Sequence, residues 1–488
     1  MLTSEVLHVA GPLWARCLGH VSKVNRSLRE ARCYKLSRLD DDWASPTKRT
    51  FWTSGLLPVL VRSNDDETPR DKEQTMTATG GPHVAARSKV GPPRRRDTRR
   101  STWAVLVLVL VLVSAGCGST SPTPTPGTGS TGGPSAAKAL DAATTAELQK
   151  ALDDTRAQGG FPGVIAGVWT PTDTWIGTSG TTGQGENAAP TPADHTRIGS
   201  LTKTVTATVL LQLYENGQVS LEDTIGKYVA GMPNGDTATL RQLATMTSGI
   251  PSYTADDAFQ KQLFTDPTMA WTPEQLVDVV RGKPADFAAG TGWEYSNTNY
   301  VLLGMVIEKV TGKPAAEVFQ ERIFGPLGMT QTSFPGQSNA IADPHLFGIT
   351  VQGQPSGQTV DATTWNPSAA FTAGEIISTL DDLHTWSEAL STGNGILRPE
   401  TQQLRRDSII RDIPPNTPTA GFGIGIGDRN GWWGFDGDIP GYTTSLYHNY
   451  DQQTTIIVAV NSDIDLPGST PPEDPAPAVF AALVKAVP

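Results

Sequence analysis

The sequence predicts an α/β fold: an antiparallel sheet built from N- and C-terminal segments, flanked by helices, with an inserted mainly helical lobe. Three observations carry this. Strand-like stretches cluster at both ends, at 164–170 and 175–178 and again at 421–427, 441–448 and 454–460. Residues 218–365 read as helical pieces joined by Gly- and Pro-rich loops. About 350 residues follow the N-terminal tracts, enough for two packed lobes with a cleft between them.

Each element has a local cause. Residues 138–158 space Leu140, Leu148 and Leu152 helically, and Gly159-Gly160 stops the run. The first two strands flank a turn-like Pro171-Thr172-Asp173. Residues 202–215 form an amphipathic helix carrying Val205, Val209, Leu210 and Leu213, closed by Asn216-Gly217. Further helices are expected at 300–310 and 375–391, and residues 449–453 make a hairpin loop between the last two strands.

Charge and cysteine narrow the function. Of the 38 Lys and Arg, 19 precede Gly118, together with 11 of the 49 acidic residues. The remainder holds 19 basic and 38 acidic residues, a formal net charge of −19. Such a surface argues against a nucleic-acid partner, since phosphate neutralisation needs cations. The cysteines are Cys17, Cys33 and Cys117, so nothing after residue 117 forms a disulfide or a thiolate metal site.

The organisation expected is an unstructured or mis-assigned extension at 1–93, an export signal at 94–117 and a flexible linker at 118–137. A folded domain at 138–465 and a Pro-rich tail with a short helix at 466–488 follow. Arg94-Arg95-Arg96-Asp97-Thr98-Arg99-Arg100 precedes an apolar run at 104–113 and then Ser114-Ala115-Gly116-Cys117. A basic region, a short apolar core and small residues describe a secretory signal. The end resembles a bacterial lipobox, although Ser114 stands where Leu or Val is usual. The resemblance implies lipidation at Cys117 and a membrane-anchored lipoprotein on the outer face of the cytoplasmic membrane, or else a secreted protein. Met76 lies a normal distance upstream, so translation is expected to begin there. The Ser/Thr/Pro/Gly linker cannot bury apolar surface and would act as a tether.

Two short strings carry chemistry. Ser200-Leu201-Thr202-Lys203 opens the helix at 202–215 and places a hydroxyl and an amine one turn apart on one face. Serine attacks poorly until a base takes its proton, and lysine is a base only when its pKa is depressed. A helix start also offers N–H groups to an oxyanion. The bland alternative is a Ser cap on a core helix with Lys203 solvated; Ser45-Pro46-Thr47-Lys48 shows how common the string is. Tyr295-Ser296-Asn297 lies in a loop before a helix, where functional groups are presented, and equally where Ser296 or Asn297 could serve as a cap. His195, His345, His384 and His448 are scattered and read as structural or solvated. Gly-x-Ser-x-Gly, His-Glu-x-x-His and Walker patterns are missing, and Gly421, Gly423, Gly425 and Gly427 alternate as in a strand.

Taken in order, Arg197–Lys203, Leu240–Leu243 leading to Thr247-Ser248-Gly249-Ile250-Pro251, Tyr295-Ser296-Asn297 and Ser378–Leu383 resemble the serine β-lactamase and D,D-peptidase superfamily. The similarity runs over residues 140–465. It is nearest the class C-like group of D,D-carboxypeptidases, D-aminopeptidases and carboxylesterases. The resemblance implies a β-lactamase-like fold and an acyl-enzyme on Ser200, with Lys203 and Tyr295 sharing the proton transfers. It implies that Asn297 orients Lys203 and contacts substrate, and that the backbone N–H groups of Ser200 and Asp438 form an oxyanion hole. Phe435, Gly437 and Asp438 would line the substrate site, and no metal or organic cofactor is implied. The third family motif is a Lys or His, then Thr or a similar residue, then Gly; here it falls on Phe435-Asp436-Gly437. Phe435 replaces a cation implied to bind a substrate carboxylate, which Arg241 or Arg429 would have to supply from elsewhere. The readings left open are an ester or amide hydrolase acting on a small molecule, a D,D-carboxypeptidase or β-lactam-reactive enzyme acting on cell-wall peptide, and a catalytically silent tethered binding module.

Overall fold

The computed structural model describes residues 138–183, 185 and 187–487. The extension, the signal with Cys117 and the linker lie outside the described residues. The chain begins with β1 (Lys138–Ala139), α1 (Ala142–Gly159), β2 (Gly163–Trp169), β3 (Asp173–Gly180), β4 (Thr196–Arg197) and α2 (Thr202–Glu215). The helical lobe follows: α3 (Leu240–Ala244), α4 (Asp257–Thr265), α5 (Pro273–Asp278), α6 (Asn297–Thr311), α7 (Ala315–Phe319) and α8 (Gly325–Leu327), then short strands β5 (Ile349–Thr350) and β6 (Val360–Asp361). The last part holds β7 (Ile377–Ser378), α9 (Leu380–Thr392), α10 (Pro399–Asp407), β8 (Ala420–Phe422), β9 (Gly427–Arg429), β10 (Trp432–Ile439), β11 (Tyr442–Asn449), β12 (Thr454–Val460) and α11 (Pro475–Ala486).

Eight strands form the main sheet in the order β1-β3-β2-β12-β11-β10-β9-β8. All neighbours are antiparallel except β1 and β3. The seam between the N- and C-terminal segments is the β2–β12 pairing, with Val164 opposite Val460 and Val168 opposite Ile456. β2 and the Ile456–Val460 part of β12 are apolar because both sheet faces are covered. On one face, Leu148 and Leu152 of α1 and Val479 and Leu483 of α11 pack against Val164, Ala166, Ile456 and Val458. On the other, α2, α6 and α9 join Ile165, Leu446 and Ile457 in the larger core.

Several elements depart from the sequence reading. Helix α1 starts at Ala142, because Asp141 caps it by accepting from the Ala143 and Thr144 N–H groups. The helix expected from 375 starts at Leu380, since Ile377-Ser378 pairs with Thr196-Arg197 just ahead of the Gly199–Leu201 turn. A β-branched Ile-Ile pair suits that strand. The strand expected at 421–427 breaks into β8 and β9. Gly425 turns there with φ +65°, so close to α2 that a Cβ would lie 2.2 Å from the Ala207 Cβ. Helix α2 is not amphipathic: Thr204, Thr206 and Thr208 are buried beside its leucines and valines. Their hydroxyls donate to the carbonyls of Leu201, Thr372 and Thr204, each at 2.7 Å. The fold also continues past residue 465, because α11 supplies Ala476, Val479, Phe480 and Leu483 to the core.

Leu483 is fully buried. Leu483→Ala is therefore expected to cost about 2–5 kcal/mol, read as a lower urea midpoint with unchanged slope. A midpoint equal to wild type would show that α11 lies outside the cooperative unit.

Candidate active site

The site forms where the start of α2 meets β10. Residues Gly199–Leu201 make a single 3-10 turn that leads into the helix. Gly199 has φ +51°, and a Cβ on it would come within 2.6 Å of the Asp438 backbone nitrogen. From the other side, a Cβ at Gly437 would reach 1.9 Å from the Ile198 carbonyl oxygen. That carbonyl already accepts from Thr444 Oγ1 at 3.0 Å. Only paired glycines let the two backbones approach so closely.

Lys203 Nζ lies 2.9 Å from Ser200 Oγ and donates to the Ala373 carbonyl at 2.7 Å. Its side chain is fully buried, and burial holds the amine well below its ordinary range; the Asp438 carboxylate opposes this in part. Tyr295 brings its hydroxyl to the Ser200 side chain. Burial pushes this phenol far above its usual range, and the Ser200 hydrogen bond only partly offsets the shift. The amine also lies 5.0 Å from the Tyr295 ring centroid and 5.7 Å from that of Tyr300. Three groups from two distant segments thus meet at one point.

Phe435 stacks on Tyr295 at 6.2 Å and 9° and packs against Phe422 at 5.0 Å. It forms an aromatic wall beside the phenol. Asp436, one residue on, turns to the opposite sheet face. It accepts from Ser445 Oγ at 2.6 Å and from Tyr447 OH at 2.8 Å, and it pairs with Arg429. Arg429 stands opposite Trp432 across β9 and β10, on the face covered by α1 and α11, so it does not supply a cation to the site. Arg241 bonds Glu222 at 2.7 Å, with both side chains at the surface.

Asn297 is not what holds Lys203. As the first residue of α6 it faces the 252–254 loop, taking Ser252 Oγ on its N–H at 3.1 Å and reaching Thr254 Oγ1 with its amide at 3.3 Å. The holding group is the Ala373 carbonyl. Ser296 occupies the cap position of α6 without a side-chain capping bond. The histidines have structural partners: His195 bonds the Pro344 carbonyl, His384 stacks on Trp169 and His448 bonds Thr455.

Sequence reasoning passed over Glu375, two residues beyond Ala373. It is buried, with Oε1 accepting from the Gly336 N–H at 2.9 Å. Burial pushes its carboxyl up to about 8. The sequence carried no signal for it, because its burial and its Gly336 partner come from a distant segment.

A family model described as beta-lactamase matches residues 148–472. The chain belongs to the beta-lactamase family. Relatives in the family include the D-alanyl-D-alanine-carboxypeptidase/endopeptidase AmpH of Escherichia coli, 29% identical over 259 residues, covering 51% of this chain and 64% of AmpH. The chain thus spans less than two thirds of that curated relative. Among solved structures, a D-stereospecific amidohydrolase from Streptomyces is 34% identical with a TM-score of 0.62, covering 70% of this chain and 99% of that one. The D-amino acid amidase of Ochrobactrum anthropi, in complex with D-phenylalanine, is 27% identical with a TM-score of 0.62, covering 71% and 99%. Family relatives are therefore peptidases and amidases, and the fold is that of these hydrolases.

Glu375 gives a stability test. Its carboxyl is raised in the fold from an ordinary 4.5 to about 8. The stabilising preference for the neutral form is complete below the unfolded value and is lost as pH rises through the folded one. Glu375→Gln should abolish this loss. The variant and wild type should match near pH 4, and the variant should be more stable at pH 9 by on the order of 4 kcal/mol. Thermal midpoints across that range decide it; a pH-independent difference counts against it.

Proposed function

We propose that the protein is a serine acyl hydrolase that cleaves an amide or ester through an acyl-enzyme on Ser200. The observation that carries this is the 2.9 Å contact between Ser200 Oγ and a Lys203 amine removed from water. A neutral lysine has two N–H donors and one lone pair. With one donor on the Ala373 carbonyl, the lone pair can take the Ser200 proton as Oγ attacks the substrate carbonyl carbon. The developing oxyanion would meet the N–H groups of Ser200 and Asp438; one such donor is typically worth roughly 3–4 kcal/mol. When the carbon–nitrogen or carbon–oxygen bond breaks, the phenol of Tyr295 gives its proton to the leaving group and is refilled from Lys203. Water then attacks the acyl carbon, passes its proton back through the same groups and frees the acid. The shifts support the resting protonation this assignment needs: Lys203 a free amine that can accept, and Tyr295 a neutral phenol that still carries its proton.

The names of the Streptomyces and Ochrobactrum proteins favour amides of D-amino acids as the substrate class. The AmpH name supports a D,D-carboxypeptidase as a second reading. That reading is weakened by Phe435 in the cation position and by Arg429 on the far sheet face. The sequence at 94–117 supports placing the domain outside the cytoplasmic membrane, tethered at Cys117.

An alkyl phosphonate should add one adduct mass to Ser200 of the full chain and none to Ser200→Ala, by peptide mass spectrometry. Turnover of p-nitrophenyl butyrate should fall on the order of 10³-fold or more in Lys203→Ala. Wild-type turnover no faster than Ser200→Ala would favour the silent module. Because Lys203 acts as the free amine, kcat/KM should rise with pH and level off below the ordinary lysine range. A rise that continues through pH 10.5 would show the amine is not depressed.

A further inference from the structure

We propose that Thr372 is a positioning residue: its carbonyl and its hydroxyl fix the turn that presents the Ala373 carbonyl to Lys203, and so aim the amine at Ser200. The inference rests on the acyl-enzyme reading above and adds a residue to it.

Helix α2 grips two consecutive carbonyls. Lys203 and Thr206 are three apart and lie on one helical face. Lys203 Nζ donates to the Ala373 carbonyl at 2.7 Å, and Thr206 Oγ1 donates to the Thr372 carbonyl, also at 2.7 Å. From the other side, Thr372 Oγ1 donates to the Tyr300 carbonyl of α6 at 2.8 Å. One residue thus ties α2 to α6, directly beside the carbonyl that holds the amine. Thr206, Thr372 and Ala373 are all buried, so water does not replace these bonds when one is lost.

The backbone there needs such support. Residues Phe371–Ala373 form a single 3-10 turn, and Phe371 has φ +41°, a left-handed conformation that a phenylalanine keeps only where its surroundings impose it. Gly304 of α6 lets the turn come close: a Cβ there would lie 2.1 Å from Thr372 Oγ1 and 2.7 Å from Phe371 Cε1. The downstream end of the segment is held separately. The Ile376 N–H donates to Thr202 Oγ1 at 3.2 Å, and the Ile376 carbonyl accepts from the Ile198 N–H at 3.0 Å. The Thr372 bonds hold the upstream end.

The consequence is directional. A neutral amine turns about its Cε–Nζ bond, and its lone pair faces Ser200 Oγ only while an N–H is anchored elsewhere. The Ala373 carbonyl is that anchor. Releasing the turn would leave Lys203 buried but aim its lone pair less well, which slows proton transfer without touching substrate binding.

The test uses the full chain and p-nitrophenyl butyrate. Rates are expressed per Ser200 site, counted by phosphonate labelling to completion, so that unfolded enzyme is excluded. Thr372→Val should lower kcat at least about tenfold with KM within about twofold of wild type, because the same amine serves acylation and deacylation. Thr372→Ser keeps the hydroxyl and should hold kcat within about threefold of wild type. Thr206→Val frees the Thr372 carbonyl; it should also lower kcat, and it carries the test if Thr372→Val does not fold. Leu483→Ala, destabilised on the far face of the sheet, should keep the wild-type kcat per site. Four results would overturn the proposal: wild-type kcat in the valine variants, a loss that Thr372→Ser shares, a loss seen chiefly in KM, or an equal loss in Leu483→Ala. Active, labelled wild type with unchanged variants defeats the role of Thr372 alone. Wild type that neither labels nor turns over defeats the acyl-enzyme reading and this inference with it.

Discussion

The removal of one amine from water governs this site. Lys203 is fully buried, and the atoms around its nitrogen are a serine hydroxyl, a backbone carbonyl and two aromatic faces. A carbonyl and a hydroxyl satisfy a neutral amine, whereas an ammonium would lack the solvation it loses on burial. The aromatic wall adds to this. Where the family pattern calls for a cation, Phe435 places a ring stacked on Tyr295 and packed on Phe422.

The architecture exists to hold that amine against a strand. Helix α2 is surrounded by core on every side, so its threonines must bond to carbonyls and its first turn cannot drift. Glycines at 199 and 437 allow the helix start and β10 to meet backbone to backbone. The lobe contributes Tyr295 through the loop before α6, and the segment after it contributes the Ala373 carbonyl. The site is thus assembled from three stretches of chain, each fixed by its own packing.

Local chemistry was legible in the sequence and long-range chemistry was not. Ser200 and Lys203 are three apart on one helix, so spacing alone put them together. Tyr295 became a candidate only by likeness to a family, because nothing in its neighbourhood says which distant loop it will face. Ala373 could not be found, since a carbonyl that any residue carries leaves no mark in the sequence. Asn297 was misjudged for a related reason: a polar side chain at a helix start has several neighbours, and the 252–254 loop was the nearer one. The strand broken at Gly425 failed because its contact, Ala207, is more than two hundred residues away. The central strands β2 and β12 were foreseen because a short apolar run marks a buried strand.

The seam between β2 and β12 sets the order of events as the chain is made. Gly163 N–H bonds the Asn461 side chain across 298 residues of sequence. The early hairpin therefore spends most of synthesis with an apolar edge unmatched, and the sheet closes only when nearly the whole polypeptide is present.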